Sequence, residues 1–199
     1  MTFNCLLTGV GGEGVLMAAA VIARAASLEG HRVGGIQLHG LAQRGGSIPT
    51  HVRFGGDFHS PTIPRGEADL IIGLETIEAA RECRFADKRR TSFIIDTYTL
   101  KPVYARLLGD PYPTAKQVKQ MIFPFSKKTI ILDASGITRE KLGSALYGNA
   151  MALGVAVGAK LLPLSQKSME KSLEATLPRD FAQNLAAFRM GLAYGKKLA

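Results

Sequence analysis

Apolar residues in this chain fall into short blocks separated by glycine clusters, and the blocks alternate between two lengths. Asn4-Cys5-Leu6-Leu7-Thr8 is a short buried strand that ends at a glycine cluster. From Val15 to Leu28 nearly every residue is Ala, Val, Leu, Ile or Met, with Arg24 and Ser27 the chief exceptions. A helix that is apolar almost all round has to be covered on most faces, as beside a parallel sheet. Gly30 supplies its C-terminal stop, and Val33–Gln37 is the next strand, completing a first strand–helix–strand unit.

Further strands are predicted at Ile48–Phe54, Leu70–Gly73, Phe93–Asp96 and Ile130–Asp133. Gly55-Gly56-Asp57 has the composition of a hairpin turn, which would pair Ile48–Phe54 with Phe58-His59 outside the parallel set. One helix is expected after Glu75, running to about Arg84. Another begins at Thr114, where Thr114 and Gln117 fit a capping box, and is closed by Pro124. The last third is helical. Asn149–Leu162 carries Gly154 and Gly158, which would let another element approach closely. Ser165 can cap the following helix, and Pro178 opens a final one with Phe181, Leu185, Phe188 and Leu192 on one face. Strands alternating with helices, then a helical tail, predict one α/β domain over residues 1–199 with helices packed on its sheet.

Composition narrows the function classes. The 199 residues contain 46% hydrophobic positions, enough for one sizeable core. Uncharged runs such as Gly14–Ala23 stop short of the roughly 18 residues of a membrane span. The N-terminus enters a strand without a basic and apolar leader, so a soluble cytoplasmic protein is expected. Cys5 and Cys83 are too few for a disulfide framework or for a cluster held by four thiolates. The net charge of +9 is scattered, with Lys88-Arg89-Arg90 its densest cluster and Lys127-Lys128 the second. No aromatic residue interleaves with these in sequence, so they read as a solvated face or the rim for an acidic partner, not a single-strand platform.

Two segments carry candidate chemistry. Gly9-Val10-Gly11-Gly12-Glu13-Gly14 lies between a strand and a helix, where glycines allow a tight turn and close approach of a ligand or backbone. The dinucleotide reading fails its second test, because the next strand ends Gln37-Leu38-His39 without the ribose-binding acid, and Glu13 would repel a pyrophosphate. A tight structural turn or a different ligand remains. His39-Gly40-Leu41-Ala42-Gln43-Arg44-Gly45-Gly46-Ser47 could form a backbone nest beside a guanidinium, suited to phosphate or carboxylate. It could equally be a demanding connection between strands. Both segments should face the carboxyl end of the sheet, which argues for one shared site. The four histidines have no zinc spacing. Ser47 and Ser135 lack a hydrolase elbow, and Glu75 and Glu78 fit an ordinary helix-dipole role.

These two segments closely resemble the paired signatures of the gamma domain of 2-oxoacid:ferredoxin oxidoreductases. The match continues through Val52-Arg53-Phe54, Ser60-Pro61, Ile63-Pro64, Gly66-Glu67-Ala68-Asp69 and Gly73-Leu74-Glu75. It resumes at Leu153-Gly154 and Asn184-Leu185-Ala186-Ala187-Phe188. The length and the Tyr98–Pro102 region look most like the small (beta) subunit of the indolepyruvate enzymes, with pyruvate and ketoisovalerate gamma subunits as neighbours. The resemblance implies a Rossmann-like, mostly parallel sheet flanked by helices, with a helical C-terminal segment. It implies a subunit with no catalytic residue or metal of its own. Thiamine diphosphate and iron–sulfur clusters would sit on larger partner subunits, and ferredoxin and coenzyme A would be met by the assembly. Gly9, Gly11, Gly12, Glu13 and Gly14, together with His39, Gly40, Gln43, Arg44, Gly45, Gly46 and Ser47, are then the candidate ligand-facing residues. Glu13 stands where the family usually has Gln, and Asp96 where Asn is common; each adds negative charge at the ligand end. The alternative is a stand-alone nucleotide- or coenzyme-binding module built on the Gly9–Gly14 turn.

Overall fold

The computed structural model describes residues 1–12, 14–37, 46–101, 107–109 and 111–199. Six strands form one sheet: β1 (Thr2–Thr8), β2 (Arg32–Gln37), β3 (Thr50–Gly55), β4 (Leu70–Gly73), β5 (Ser92–Asp96) and β6 (Lys128–Leu132), in the order β2-β3-β1-β4-β5-β6. β1, β4, β5 and β6 run parallel, while β3 lies antiparallel between β1 and β2. Among the described residues there are seven α-helices: α1 (Val15–Leu28), α2 (Thr76–Arg81), α3 (Ala115–Ile122), α4 (Ala134–Leu142), α5 (Gly148–Gly158), α6 (Gln166–Thr176) and α7 (Phe181–Lys196). No described helix is long and apolar enough to cross a membrane.

Period-two alternation sorts the central strands between two apolar layers. Cys5, Leu7, Leu70, Ile72, Ile94 and Ile130 enter the larger layer with α1, α5, α6 and α7. Leu6, Ile71, Phe93 and Ile95 point the other way, into a smaller layer closed by Ala79 of α2 and by Val118 and Ile122 of α3. Strands buried on both faces need no polar alternation, which is why they read in sequence as continuous apolar runs.

The predicted α1 and β4 have the observed limits, and the Thr114–Gln117 capping box is formed. Ser165 caps α6 through the Ser168 N–H, and Gly30 ends α1 at φ 79°. Close approach at Gly154 and Gly158 is realised: a Cβ at either would collide with a carbonyl oxygen of α7, on Phe188 and Leu192 respectively. That packing buries α5 along most of its length, so it offers no broad apolar face to a partner.

Three expectations are corrected. β3 does not pair with Phe58-His59; β1 occupies one of its edges and β2 the other, leaving no edge for a returning strand. β2 is separated from β1 by β3, so the first strand–helix–strand unit is not a pair of neighbours. Residues 134–142, where the apolar pattern predicts no element, form α4, started by Asp133 accepting from the Gly136 N–H at 2.9 Å and ended by Gly143 at φ 83°.

Candidate functional site

The carboxyl ends of the parallel strands present Thr8, Gly73, Asp96 and Leu132 along one edge. After β1 the chain rises into α1 on the larger layer; after β4 it rises into α2 on the other. A crevice opens where successive connections leave for opposite faces. It lies at the β1/β4 junction.

The first glycine turn and the segment entering β3 are laced together at that edge. The Gly11 N–H donates to the Gly46 carbonyl at 2.9 Å, and the Ile48 N–H to the Gly9 carbonyl at 3.0 Å. Val10 and Ser47 form an antiparallel bridge between these bonds. Of the candidate residues, Gly9, Gly11, Gly12, Gly14, Gly46 and Ser47 are thus brought to one place. Glu13, His39, Gly40, Gln43, Arg44 and Gly45 lie outside the described residues. The lacing explains part of the glycine content without a ligand, since two chain segments meet backbone to backbone.

Gly12 and Gly14 differ from the laced glycines. Both are left-handed, at φ 96° and 75°, a region costly for residues with a Cβ. Gly12 has open space where a Cβ would project. At Gly14 a Cβ would lie 2.7 Å from the Asn149 side-chain nitrogen. They border a cleft of about 230 Å³ that continues past Met17, Leu146, Asn149 and Asn184. A smaller hollow of about 50 Å³ shares Leu146 and Asn149 and reaches Leu74, Tyr98 and Ser135, which extends the crevice toward β5.

Its floor is held by buried acids whose partners are mostly backbone. Asp96 ends β5 and accepts from the Ser135 N–H at 3.0 Å, the Ser135 hydroxyl at 2.5 Å and the Tyr98 N–H at 3.2 Å. Burial pushes its carboxyl above the usual range despite these donors. Glu75 is fully buried. Its carboxylate accepts from the N–H groups of Ile77, Glu78 and Leu100 and from the Tyr112 hydroxyl, the last at 2.9 Å. Burial and this carboxylate raise the Tyr112 phenol. Glu78 is bonded by the Ser47 side chain and paired with Arg81 at 3.2 Å. Burial still pushes its carboxyl above the usual range, and its Oε2 is buried without a hydrogen-bond partner among the described residues.

The helix-dipole reading therefore understates Glu75 and Glu78. Glu75 is the N-cap of α2 and organises the Leu100 and Tyr112 segments, while Glu78 ties α2 to the second glycine segment. The three-residue spacing of two glutamates immediately after a strand is a capping-box signal that could have pointed to the cap. Chemically these acids hold loops; the Ser135 hydroxyl that Asp96 accepts from is itself buried. Cys5 lies in the α1 layer and Cys83 in the α2 layer, on opposite faces of the sheet. Both thiols are raised by burial, Cys83 to about 11. Two thiols so placed do not fit a cluster site. Among the described residues no three His, Cys, Asp or Glu side chains are grouped for a metal.

The sequence profile of the pyruvate ferredoxin/flavodoxin oxidoreductase family matches residues 4–194. The chain belongs to that family. Within it, the chain is 35% identical to the indolepyruvate oxidoreductase subunit IorB of Archaeoglobus fulgidus, over 96% of its own length and 94% of the relative's. It is 30% identical to the IorB of Thermococcus kodakarensis, over 98% and 97%. A 2-oxoglutarate synthase subunit, KorC of Archaeoglobus fulgidus, is 23% identical over 98% and 89%.

Solved structures of the oxidoreductase family share the fold. The gamma subunit of a keto/oxoacid ferredoxin oxidoreductase from Geobacter sulfurreducens superposes with a TM-score of 0.67 at 20% identity, covering 98% of this chain and 99% of its own. The 2-oxoglutarate:ferredoxin oxidoreductase of Magnetococcus marinus, solved with 2-oxoglutarate, coenzyme A and succinyl-CoA bound, gives 0.71 at 19% identity. All of this chain is covered there by 32% of the larger one. The mostly parallel α/β sheet with its helical C-terminus is thus the family fold.

Proposed function

We propose that the chain is the small, cofactor-poor subunit of an indolepyruvate-type 2-oxoacid:ferredoxin oxidoreductase acting in the cytoplasm. The observation that carries this is end-to-end similarity to archaeal indolepyruvate oxidoreductase subunits at 35% and 30% identity. The overall reaction converts a 2-oxoacid and coenzyme A to acyl-CoA and CO2, passing two electrons to ferredoxin. Thiamine diphosphate, held by the larger partner, supplies the carbon nucleophile for decarboxylation. The clusters that carry the electrons also belong to partner subunits, since two buried thiols on opposite faces cannot bind one.

The contribution of this chain is the shaped wall of a cleft. Gly12 and Gly14 let a ligand or partner backbone come close, and Asn149 and Asn184 line it with neutral polar side chains. An anion at the first turn would find the Gly11 N–H engaged by Gly46 and the Glu13 carboxylate in the same turn. The anionic part of a ligand, or a partner carboxylate, therefore falls to the Arg44-Gly45-Gly46 segment.

The test is co-expression with a large subunit that carries thiamine and cluster motifs. The isolated chain should be colourless and inactive. The pair should reduce a dye in a coenzyme A-dependent way with aryl 2-oxoacids preferred over pyruvate. Turnover by the lone chain, or its micromolar binding of NAD, NADP or FAD in calorimetry, would replace this reading with that of a self-sufficient module. Arg44→Ala should lower kcat/KM of the pair, or weaken its assembly, by up to about thirtyfold, which is about 2 kcal/mol and the scale of one charge-assisted contact; both values unchanged remove the anion role.

A further inference from the structure

The densest basic cluster stands far from the crevice, and the structure gives it aromatic neighbours that are distant in sequence. Lys88-Arg89-Arg90 precedes β5, and a 3-10 turn, Phe123–Phe125, precedes β6, so both sit at the amino ends of the parallel strands. The Lys127 N–H donates to the Thr91 carbonyl at 2.8 Å, fixing the two segments side by side. The Lys88 ammonium lies 5.4 Å from the Phe123 ring centroid, within cation–π range.

The surface so formed is both apolar and cationic. Phe123 is 65% exposed, Met121 49% and Phe125 42%. Residues 111–132 hold Lys116, Lys119, Lys127 and Lys128 and no Asp or Glu. Helical spacing sets Lys116, Lys119 and Phe123 along one side. The acids in contact are few. Asp87 is 3.5 Å from Arg89, whose side chain is 92% exposed, and Asp69 is paired with Arg90 at 2.6 Å. Three exposed large apolar side chains within five residues, rimmed by cations, have the composition of an interface centre.

Physical chemistry selects its occupant. A second copy of the chain would bring like cations together across a two-fold axis, which is repulsive. A single-stranded nucleic acid needs a free aromatic face for stacking, whereas the Phe123 face carries Lys88. An electron acceptor gains nothing by docking on a chain whose two thiols cannot hold a carrier. We infer that this end of the sheet docks on an acidic, apolar-centred surface of the large catalytic subunit. The inference rests on the subunit role proposed above and gives that role a second contact, at the opposite end of the sheet from the glycine crevice.

Two charge-reversal pairs in the co-expressed complex test it. Lys88→Glu with Arg89→Glu should weaken association with the large subunit about a hundredfold, read by dilution in analytical ultracentrifugation. Phe123→Ser should weaken it about tenfold. The wild-type complex should also loosen as salt rises. Lys167→Glu with Lys171→Glu changes net charge equally at exposed positions of α6 and should leave assembly within about twofold. Circular dichroism of each isolated variant reports that it folds.

Wild-type assembly by the Lys88/Arg89 variant overturns the inference and leaves the subunit role standing. Equal loss in both pairs also overturns it, because net charge would then be the cause. So does wild-type self-association, single-stranded RNA binding, or a changed KM for ferredoxin that the Lys88/Arg89 variant alters while assembly holds. Failure of the wild-type chain to join the large subunit removes the subunit role itself, and this inference with it.

Discussion

Glycine does opposite things in two regions of this molecule. At the carboxyl edge of the sheet, Gly12 and Gly14 adopt φ of 96° and 75°, and Gly12 faces open space. In the seam between α5 and α7, Gly154, Gly158, Gly191 and Gly195 are ordinary helical residues with no space at all. A Cβ on Gly191 would strike the Met151 carbonyl oxygen, and one on Gly154 the Phe188 carbonyl oxygen. In the first region glycine is required by the backbone dihedral, and in the second by the neighbour. Substitution separates the two requirements. Strain at an open turn costs only the dihedral, whereas added volume between two helix backbones must push the helices apart.

The seam should therefore give the largest effect. Gly191→Ala is expected to destabilise the chain by about 3 kcal/mol, the upper part of the range for overpacking a well-filled interior. For a chain of this size that lowers Tm by roughly 6–12 °C. The helix gain from Ala over Gly, about 1 kcal/mol, is too small to offset it. Calorimetry of the purified variant decides the matter; an unchanged Tm would mean that α5 and α7 are not in backbone contact.

Between these extremes lies the buried acid that ends β5. Asp96→Ala leaves the N–H and hydroxyl of Ser135 without their acceptor and should cost about 2 kcal/mol. Asp96→Asn tests charge apart from hydrogen bonding. The folded chain raises this carboxyl by burial, so it binds the proton more tightly than the unfolded chain does. The penalty for the charged form is absent below the ordinary carboxyl value and complete above the raised one. The Asp96 contribution to stability should thus increase as pH falls through that window. It is opposed by buried His51, held down to about 4, and by the lowered Glu29 and Glu170, whose contributions all fall with acid. Asp96→Asn should remove that one contribution and leave those of Glu78 and Glu82, raised in the same direction, so the gain of wild type over variant should grow as pH falls. Denaturant midpoints of both chains across the acid range provide the comparison.

What could be read from sequence follows the same division between local and distant causes. α1 was legible to its limits because an apolar run stops at Gly30, and the start of α3 because Thr114 and Gln117 cap each other within one turn. α4 was not, since its limits rest on one Asp133 bond and Gly143 rather than on an apolar stripe. The partners of β3 were missed because strand pairing such as Thr2 with Gly55 is decided by long-range packing. At the site, the glycines announced themselves, but their lacing through Gly11 and Gly46 did not. Full burial of Glu75 depends on donors such as Tyr112, 37 residues away, and no helix-start pattern contains that fact. The aromatic companion of Lys88 was invisible for the same reason.

The smallest stability effect should come from the open turn, and there function and stability part. Gly12→Ala meets no atom within 4 Å, so its cost is the left-handed dihedral alone, about 1 kcal/mol. The variant should fold, keep its circular dichroism and lose only a few degrees of Tm. If the turn merely connects β1 to α1, 2-oxoacid oxidation by the assembled complex will follow that small loss and stay near wild type. If the open side of Gly12 is where a ligand or partner backbone comes close, the methyl group occupies that approach, and kcat/KM will fall by well over tenfold while the isolated chain stays folded. The ratio of the two losses thus measures what the exposed glycine is for. The same ratio for Gly191→Ala should show stability lost first, with activity failing only as the chain unfolds.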